Sequence, residues 1–223
     1  ICTALAAGCE YLAPASRPLR TMLWACEDDM NELWRRQVSI NRRFGIGPES
    51  LDNLFVVPRA GRNNTLYADR FGRPVETPLM SRLQQAIDDL RIDVLVLDIL
   101  AHVFGARSEN QAHVTAFVNR VFALGRDRPF APILVGHPSR AEGSEFSGSA
   151  AWENAVRSRW YLGTNVPGHT PDTEVDSDSK VIYLSRRKAN YAANGYVKLT
   201  YDQGVPMPED RPCDPAARAE RLA

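Results

Sequence analysis

Apolar runs of strand length alternate along the chain with segments in which apolar residues recur at helical spacing. This is the pattern of an α/β fold built on a mostly parallel sheet. The first strand is Thr21-Met22-Leu23-Trp24-Ala25-Cys26, ending in Glu27-Asp28-Asp29. Those acids cap and charge-match a helix with Met30, Leu33, Trp34 and Val38 as its apolar face, running towards Phe44 and stopped by Gly45. Leu54-Phe55-Val56-Val57 is a second strand, closed by Pro58. Residues 59–76 are polar loop punctuated by glycine, with a short hairpin over 68–75. Thr77 as N-cap and Pro78 at the first helical position open a helix with Leu79, Leu83, Ile87 and Leu90 on one face. The clearest strand is Asp93-Val94-Leu95-Val96-Leu97-Asp98, whose unbroken aliphatic run between two acids implies burial on both faces, as in a central parallel strand.

A loop over 102–110 leads to a helix marked by Val114, Phe117, Val118, Val121 and Phe122, followed by the strand Pro132-Ile133-Leu134-Val135-Gly136-His137. Residues 138–148 are rich in Ser, Gly and Glu and are expected to be mobile, and 149–157 form a short helix. Beyond them the pattern changes to strands over 158–162, 181–185 and 196–201, joined by turns and expected to pair antiparallel. Residues 203–223 carry four prolines and many charges and read as a flexible tail or linker. The domain is therefore placed at 1–202. Residues 1–7 resemble the interior of a buried helix, so a preceding segment is expected.

Composition narrows the classes. A chain of 223 residues with 44% hydrophobic and 24% charged content is an ordinary globular domain, not a disordered or fibrous one. Lys+Arg and Asp+Glu are 27 each, so no global field draws the molecule onto nucleic acid, and any such contact must come from local loops. No apolar run approaches the roughly 20 residues that cross a bilayer, and no signal-peptide pattern opens the chain. A cytoplasmic protein without membrane contact is expected. Cys2, Cys9, Cys26 and Cys213 are too scattered for a zinc ribbon and are read as reduced thiols.

Ligands of open α/β sheets bind beyond the carboxyl ends of the strands. There the chain presents Glu27, Asp98 and His137. An apolar run ending in Asp has the form of a Walker B segment, whose carboxylate holds Mg2+ beside nucleotide phosphates. Each residue has a plainer reading: Asp98 as a loop cap, Glu27 as a helix charge match, His137 as a satisfied histidine at the core edge. Together they make a set for phosphoryl transfer: a carboxylate to polarise water, a second for the metal, and a polar sensor on the next strand. The phosphate cradle is missing. No Gly-x-x-x-x-Gly-Lys-Ser/Thr motif occurs, and the lysines are Lys180, Lys188 and Lys198 alone.

Five ordered blocks carry a family resemblance: Leu23-Trp24-Ala25-Cys26-Glu27-Asp28-Asp29, the Leu95-Val96-Leu97-Asp98 strand, Gly136-His137-Pro138-Ser139-Arg140, residues 147–157, and Arg187-Lys188-Ala189-Asn190-Tyr191. In this order they resemble the AAA-type RecA-like P-loop ATPases of the plasmid RepA hexameric replicative helicase group, over nearly all of 1–201. The resemblance implies a RecA-like sheet, ATP and Mg2+ as cofactors, and a P-loop lying upstream of Ile1. It implies Glu27 as catalytic glutamate, Asp98 as the Walker B metal ligand at the nucleotide, and His137 as the γ-phosphate sensor. Arg186 or Lys188 matches the region that projects a basic finger into the neighbouring subunit, with Arg157 as a second candidate beside the nucleotide. A homo-oligomeric ring, expected as a hexamer, and single-stranded DNA are the implied partners. The loops after Asp98 and His137 correspond to the channel loops of such rings, yet Arg107 and Arg140 are their only basic residues. Two alternatives stay open: a RecA- or KaiC-like ATPase without helicase activity, and a non-catalytic nucleotide-fold ring component or partner-binding module.

Overall fold

A computed structural model describes residues 1–12, 16–126, 128–138, 149–166, 181–190 and 193–208. Its elements in chain order are α1 (Cys2–Ala7), β1 (Thr21–Ala25), α2 (Met30–Phe44), β2 (Leu54–Pro58), β3 (Tyr67–Arg70), β4 (Arg73–Glu76), α3 (Pro78–Asp89) and β5 (Val94–Asp98). There follow α4 (Leu100–Val103), β6 (Phe104–Gly105), α5 (Gln111–Phe122), β7 (Ala131–Leu134), α6 (Ala151–Ala155), β8 (Ser158–Gly163), β9 (Val181–Ala189), β10 (Gly195–Asp202) and β11 (Val205–Pro208).

The main sheet is parallel with strand order β2-β1-β5-β7. Its two inner strands are the two with the longest buried runs, because only a strand covered on both faces can carry apolar side chains at every position. Met22 and Trp24 of β1 share one face with Leu95 and Leu97 of β5, and there they join Met80, Leu83 and Ile87 of α3 and Val114, Phe117, Val118 and Val121 of α5. The opposite parity of β5, Val94, Val96 and Asp98, faces away from that cluster. The sheet is flanked by helices, which makes the fold α/β and RecA-like.

A small sheet of order β4-β3-β6 sits beside this core. Phe117 is fully buried and brings its root together: the ring lies 5.1 Å from Phe104, 5.7 Å from Tyr67 and 6.1 Å from Trp152, centroid to centroid. The C-terminal strands form an antiparallel sheet of order β11-β10-β9-β8. The Tyr11 hydroxyl donates to the Pro206 carbonyl at 2.5 Å, and Arg43 pairs with Asp202 at 2.6 Å, which ties this sheet to α1 and α2.

Several expectations shift. Val205–Pro208 is a strand where a tail was expected from 203, while 209–223 and Cys213 lie outside the described residues. Pro206 and Pro208 are compatible with a strand because β11 is an edge, where a missing N–H breaks no ladder on the outer side. The loop expected at 102–110 opens with the end of α4 and with β6. The α2 face read as core is half right: Met30 and Trp34 are 52% and 65% exposed, and α2 has no buried residue. Thr77 precedes α3 as expected, but its hydroxyl donates to the Thr65 carbonyl at 2.6 Å and so pins β3 to β4 instead of capping the helix. Residues 139–148, which include Arg140 and most of one expected channel loop, lie outside the described residues.

Phe117→Ala should remove the common partner of three rings and lower unfolding stability by about 3–5 kcal/mol, read from urea denaturation. A loss below about 1 kcal/mol would mean that the site collapses around the smaller side chain and that the aromatic cluster does not anchor the small sheet.

Candidate active site

Parallel pairing places the ends of β1 and β5 side by side. Ala25 is in register with Asp98, and one residue later the Cys26 amide donates to the Asp98 carbonyl at 2.6 Å. Glu27 is the next residue, released from the ladder at the same rim. β7 delivers the third group: the Val135 amide donates to the Leu97 carbonyl at 3.0 Å, and the Leu100 amide to the Val135 carbonyl at 2.8 Å. These two bonds carry residues 135–137 alongside the chain that leaves β5. His137 Nε2 then lies 3.7 Å from Glu27 Oε2.

A second imidazole stands on the other side of the same carboxylate. The single turn of α4 begins two residues after Asp98 and places His102 Nε2 3.8 Å from Glu27 Oε1. Sequence reasoning counted His102 only as the start of a loop. Its signal was its position, four residues beyond a strand-terminal acid, and it needed α4 to become a geometric statement. Both separations are longer than a hydrogen bond.

The electrostatics are lopsided towards negative charge. Asp28 is held by Arg36 through two contacts, 2.7 and 3.2 Å, and Arg36 also reaches Glu32 at 2.7 Å. That guanidinium is therefore engaged along α2. Asp29 caps the helix by accepting the Glu32 amide at 2.9 Å. Among the described residues Asp98 has no such hydrogen-bonded partner. Burial holds its carboxyl above the ordinary value of 3.8, and the charges of Glu27 and Asp28 push in the same direction against the weaker pull of Arg36 and His137. Cys26 is buried beside it, and burial pushes its thiol up to about 11, so no ready thiolate nucleophile stands here. Asp98 also acts electrostatically on Cys2, the first residue of α1, whose thiol is likewise raised, mainly by burial.

Comparison with known families places this rim in context. Residues 1–143 match the AAA domain family, more than half of the chain. The chain belongs to the AAA domain family. Comparison with curated proteins gives no match. An AAA domain is an ATPase-type nucleotide-binding domain, and the matched span contains Glu27, Asp98, His102 and His137. The basic residues chosen as finger candidates lie outside it.

Those candidates sit on the C-terminal part of the chain, beyond the matched AAA domain. The Lys188 ammonium donates to the carbonyls of Glu153 at 2.7 Å and Asn154 at 3.4 Å, closing the end of α6. Arg186 donates to the Ala193 carbonyl at 2.8 Å and lies 5.5 Å from the centre of the Trp160 ring. Arg157 is exposed between α6 and β8. Among the described residues no hydrogen bond or ion pair links any of the three to Glu27, Asp98 or His137. An open groove at the opposite end of the sheet is lined by Arg17, Asp88, Arg91, Asp93 and Arg128. Two of its three cations are engaged within the fold: Arg128 donates to the carbonyls of Ile87 and Ile92, and Arg17 contacts Asp93. Among the described residues no helix is long and apolar enough to cross a membrane.

A raised carboxyl has a definite signature in stability. Between 3.8 and the higher folded value the native state holds the Asp98 proton more tightly than the unfolded chain, so stability falls as pH rises through that window. In EDTA, Asp98→Asn should therefore unfold at higher urea than the parent at pH 7. The gain should shrink as pH is lowered towards 3.8. A gain that is absent at pH 7, or that grows on acidification, would show that Asp98 is not destabilised by its neighbours.

Proposed function

We propose that this chain is the ATP-hydrolysing motor domain of a RepA-type DNA helicase acting in replication, working as a homo-oligomeric ring, a hexamer, on single-stranded DNA. The observation that carries the catalytic half is the Glu27 carboxylate set between His102 and His137 at the strand end beside Asp98. In this reading Glu27 accepts a proton from water as the water oxygen bonds to the γ-phosphorus. The bond from phosphorus to the β,γ-bridging oxygen breaks, leaving ADP and phosphate. His137, and His102 with it, keeps the carboxylate aimed at that water and senses the γ-phosphate.

Magnesium suits the same rim. Asp98 is a hard oxygen donor in an environment of excess negative charge, which a divalent cation relieves. Among the described residues no group of three or more His, Cys, Asp and Glu forms a metal cage. That agrees with Mg2+, which is commonly held by one or two carboxylates together with substrate phosphates and water. When bound, it would supply positive charge against the negative charge of the phosphates during transfer. Asp98 is the residue that would hold it.

The phosphate cradle belongs, on this reading, to residues that precede α1. The proximity of Cys2 to Asp98 supports that assignment, since a loop leading into α1 would arrive beside the metal ligand. Arg186, Lys188 or Arg157 would serve the nucleotide of the neighbouring subunit. The second reading is a non-catalytic nucleotide-fold ring component or partner-binding module on the same sheet.

Glu27→Gln decides between them. In the full-length protein it should lower phosphate release by at least about 100-fold while ATP still binds, because the amide keeps the shape but is no base. Unchanged turnover, or no turnover in the parent, would end the catalytic assignment. Asp98→Asn should weaken nucleotide binding only when Mg2+ is present, measured by titration of a fluorescent ATP analogue with and without EDTA. An identical magnesium dependence would remove Asp98 from the metal site.

A further inference from the structure

The hairpin between β3 and β4 turns through Phe71 and Gly72, flanked by Arg70 and Arg73. Both central residues have positive φ, 54° and 77°. Two-residue turns of this hand favour Asn or Asp before Gly, because a short polar side chain tolerates the left-handed region and a bulky one is strained there. The chain places phenylalanine at that position and leaves it 99% exposed. Folding gains nothing from either choice.

The flanking charges are equally unfavourable to the isolated hairpin. Arg70 and Arg73 are cross-strand partners, and like charges directly opposite each other repel. The one acid at the tip is already engaged. Asp69 accepts the Gly72 amide at 2.6 Å and contacts Arg107 at 3.4 Å. Among the described residues neither Arg70 nor Arg73 has a carboxylate partner. The root below this tip is firm: Tyr67 and Phe104 stack at 6.4 Å, both against Phe117, and the Thr77 and Leu66 amides continue the pairing through Leu66 and Val103 carbonyls. The tip is therefore a rigid projection that carries one bare ring between two unpaired cations.

Its direction also matters. β3 runs parallel to β6, so the tip extends along the chain that leaves Asp98 through α4, and it meets that chain at Arg107. The next residue, Ser108, accepts the Ser149 amide at 2.9 Å. The hairpin, the segment after β5 and the residue just beyond 148 thus converge at one place.

We propose that the Arg70-Phe71-Gly72-Arg73 tip is a contact for single-stranded nucleic acid, with a base stacked on Phe71 and phosphates on Arg70 and Arg73. This deepens the motor reading above and rests on it for the presence of a strand at this rim. A base offers a flat apolar face to the ring, and its flanking phosphates offer charge to the guanidinium groups. A protein partner suits the tip less well, since the core of a protein interface is depleted of charge and this ring is flanked directly by two arginines.

The test measures binding of a fluorescein-labelled oligothymidylate to the full-length protein by anisotropy, without nucleotide. Phe71→Ala should weaken binding about 5- to 150-fold, and Phe71→Trp should restore it to within about threefold of the parent. Phe71→Asn should lose affinity as Phe71→Ala does while its thermal midpoint stays equal or rises, since asparagine suits the turn. Replacing Arg70 and Arg73 together by alanine should flatten the slope of log affinity against log salt by about 1.4. Parent-like affinity in Phe71→Ala and Phe71→Asn overturns the proposal, as does an oligomeric mass that falls in light scattering while affinity for the oligomer is unchanged, which would assign the tip to a second copy of the chain. ATP hydrolysis measured without DNA should be unaltered in Phe71→Ala. A parent that hydrolyses ATP but does not bind the oligomer overturns the hairpin contact alone. Phe71-dependent binding with full turnover in Glu27→Gln supports the hairpin contact and overturns the catalytic assignment alone.

Discussion

Everything at the candidate site depends on β1 and β5 pairing in parallel with Ala25 opposite Asp98. Because the strands point the same way, both release their chains at one rim, and the next two residues of β1 arrive beside the last residue of β5. A shift of one residue would turn Asp98 to the other face of the sheet, since side chains alternate along a strand. The register is held by burial: Met22 and Trp24 must meet the same apolar cluster as Leu95 and Leu97. Hydrophobic packing on one face thus positions the polar chemistry at the end of the sheet.

That chemistry is arranged at a cost to stability. Asp98 is partly buried, close to two other acids, and raised in pKa as a result, while the nearest guanidinium serves Asp28 and Glu32. A sequence selected only for folding would neutralise or remove such a group. The excess negative charge is the physical feature shared with sites that receive a divalent cation. The two imidazoles on Glu27 are the complementary feature, polar groups able to orient a carboxylate without quenching it as an arginine would.

The C-terminal antiparallel sheet has a different relation to this rim. It docks through Tyr11, Arg43 and the capping of α6 by Lys188, and it stands beyond the span matched by the AAA domain family. On β9, Arg186 donates to the Ala193 carbonyl and Lys188 to those of Glu153 and Asn154, while Arg159 on β8 pairs with the Glu153 carboxylate at 3.1 Å.

The sequence by itself determined the elements whose cause is local. A short aliphatic run rich in β-branched residues and bounded by acids is read as a strand covered on both faces, so Val94–Asp98 was legible as central, and the hairpin and the Pro78 helix start were legible from the turn glycine and the helix-start proline. The strand-end rule put Glu27, Asp98 and His137 together, and the family resemblance gave each an expected role. Only tertiary structure decided which atoms meet. His102 joins Glu27 because one helical turn follows Asp98, which no spacing rule encodes, and β11 survives two prolines because it is an outer edge, which depends on strand order. Trp34 has the spacing of a core residue and remains exposed because a helix needs a partner at that position as well as an apolar stripe. Local propensity is a property of neighbouring residues, whereas burial and contact depend on which distant segments arrive.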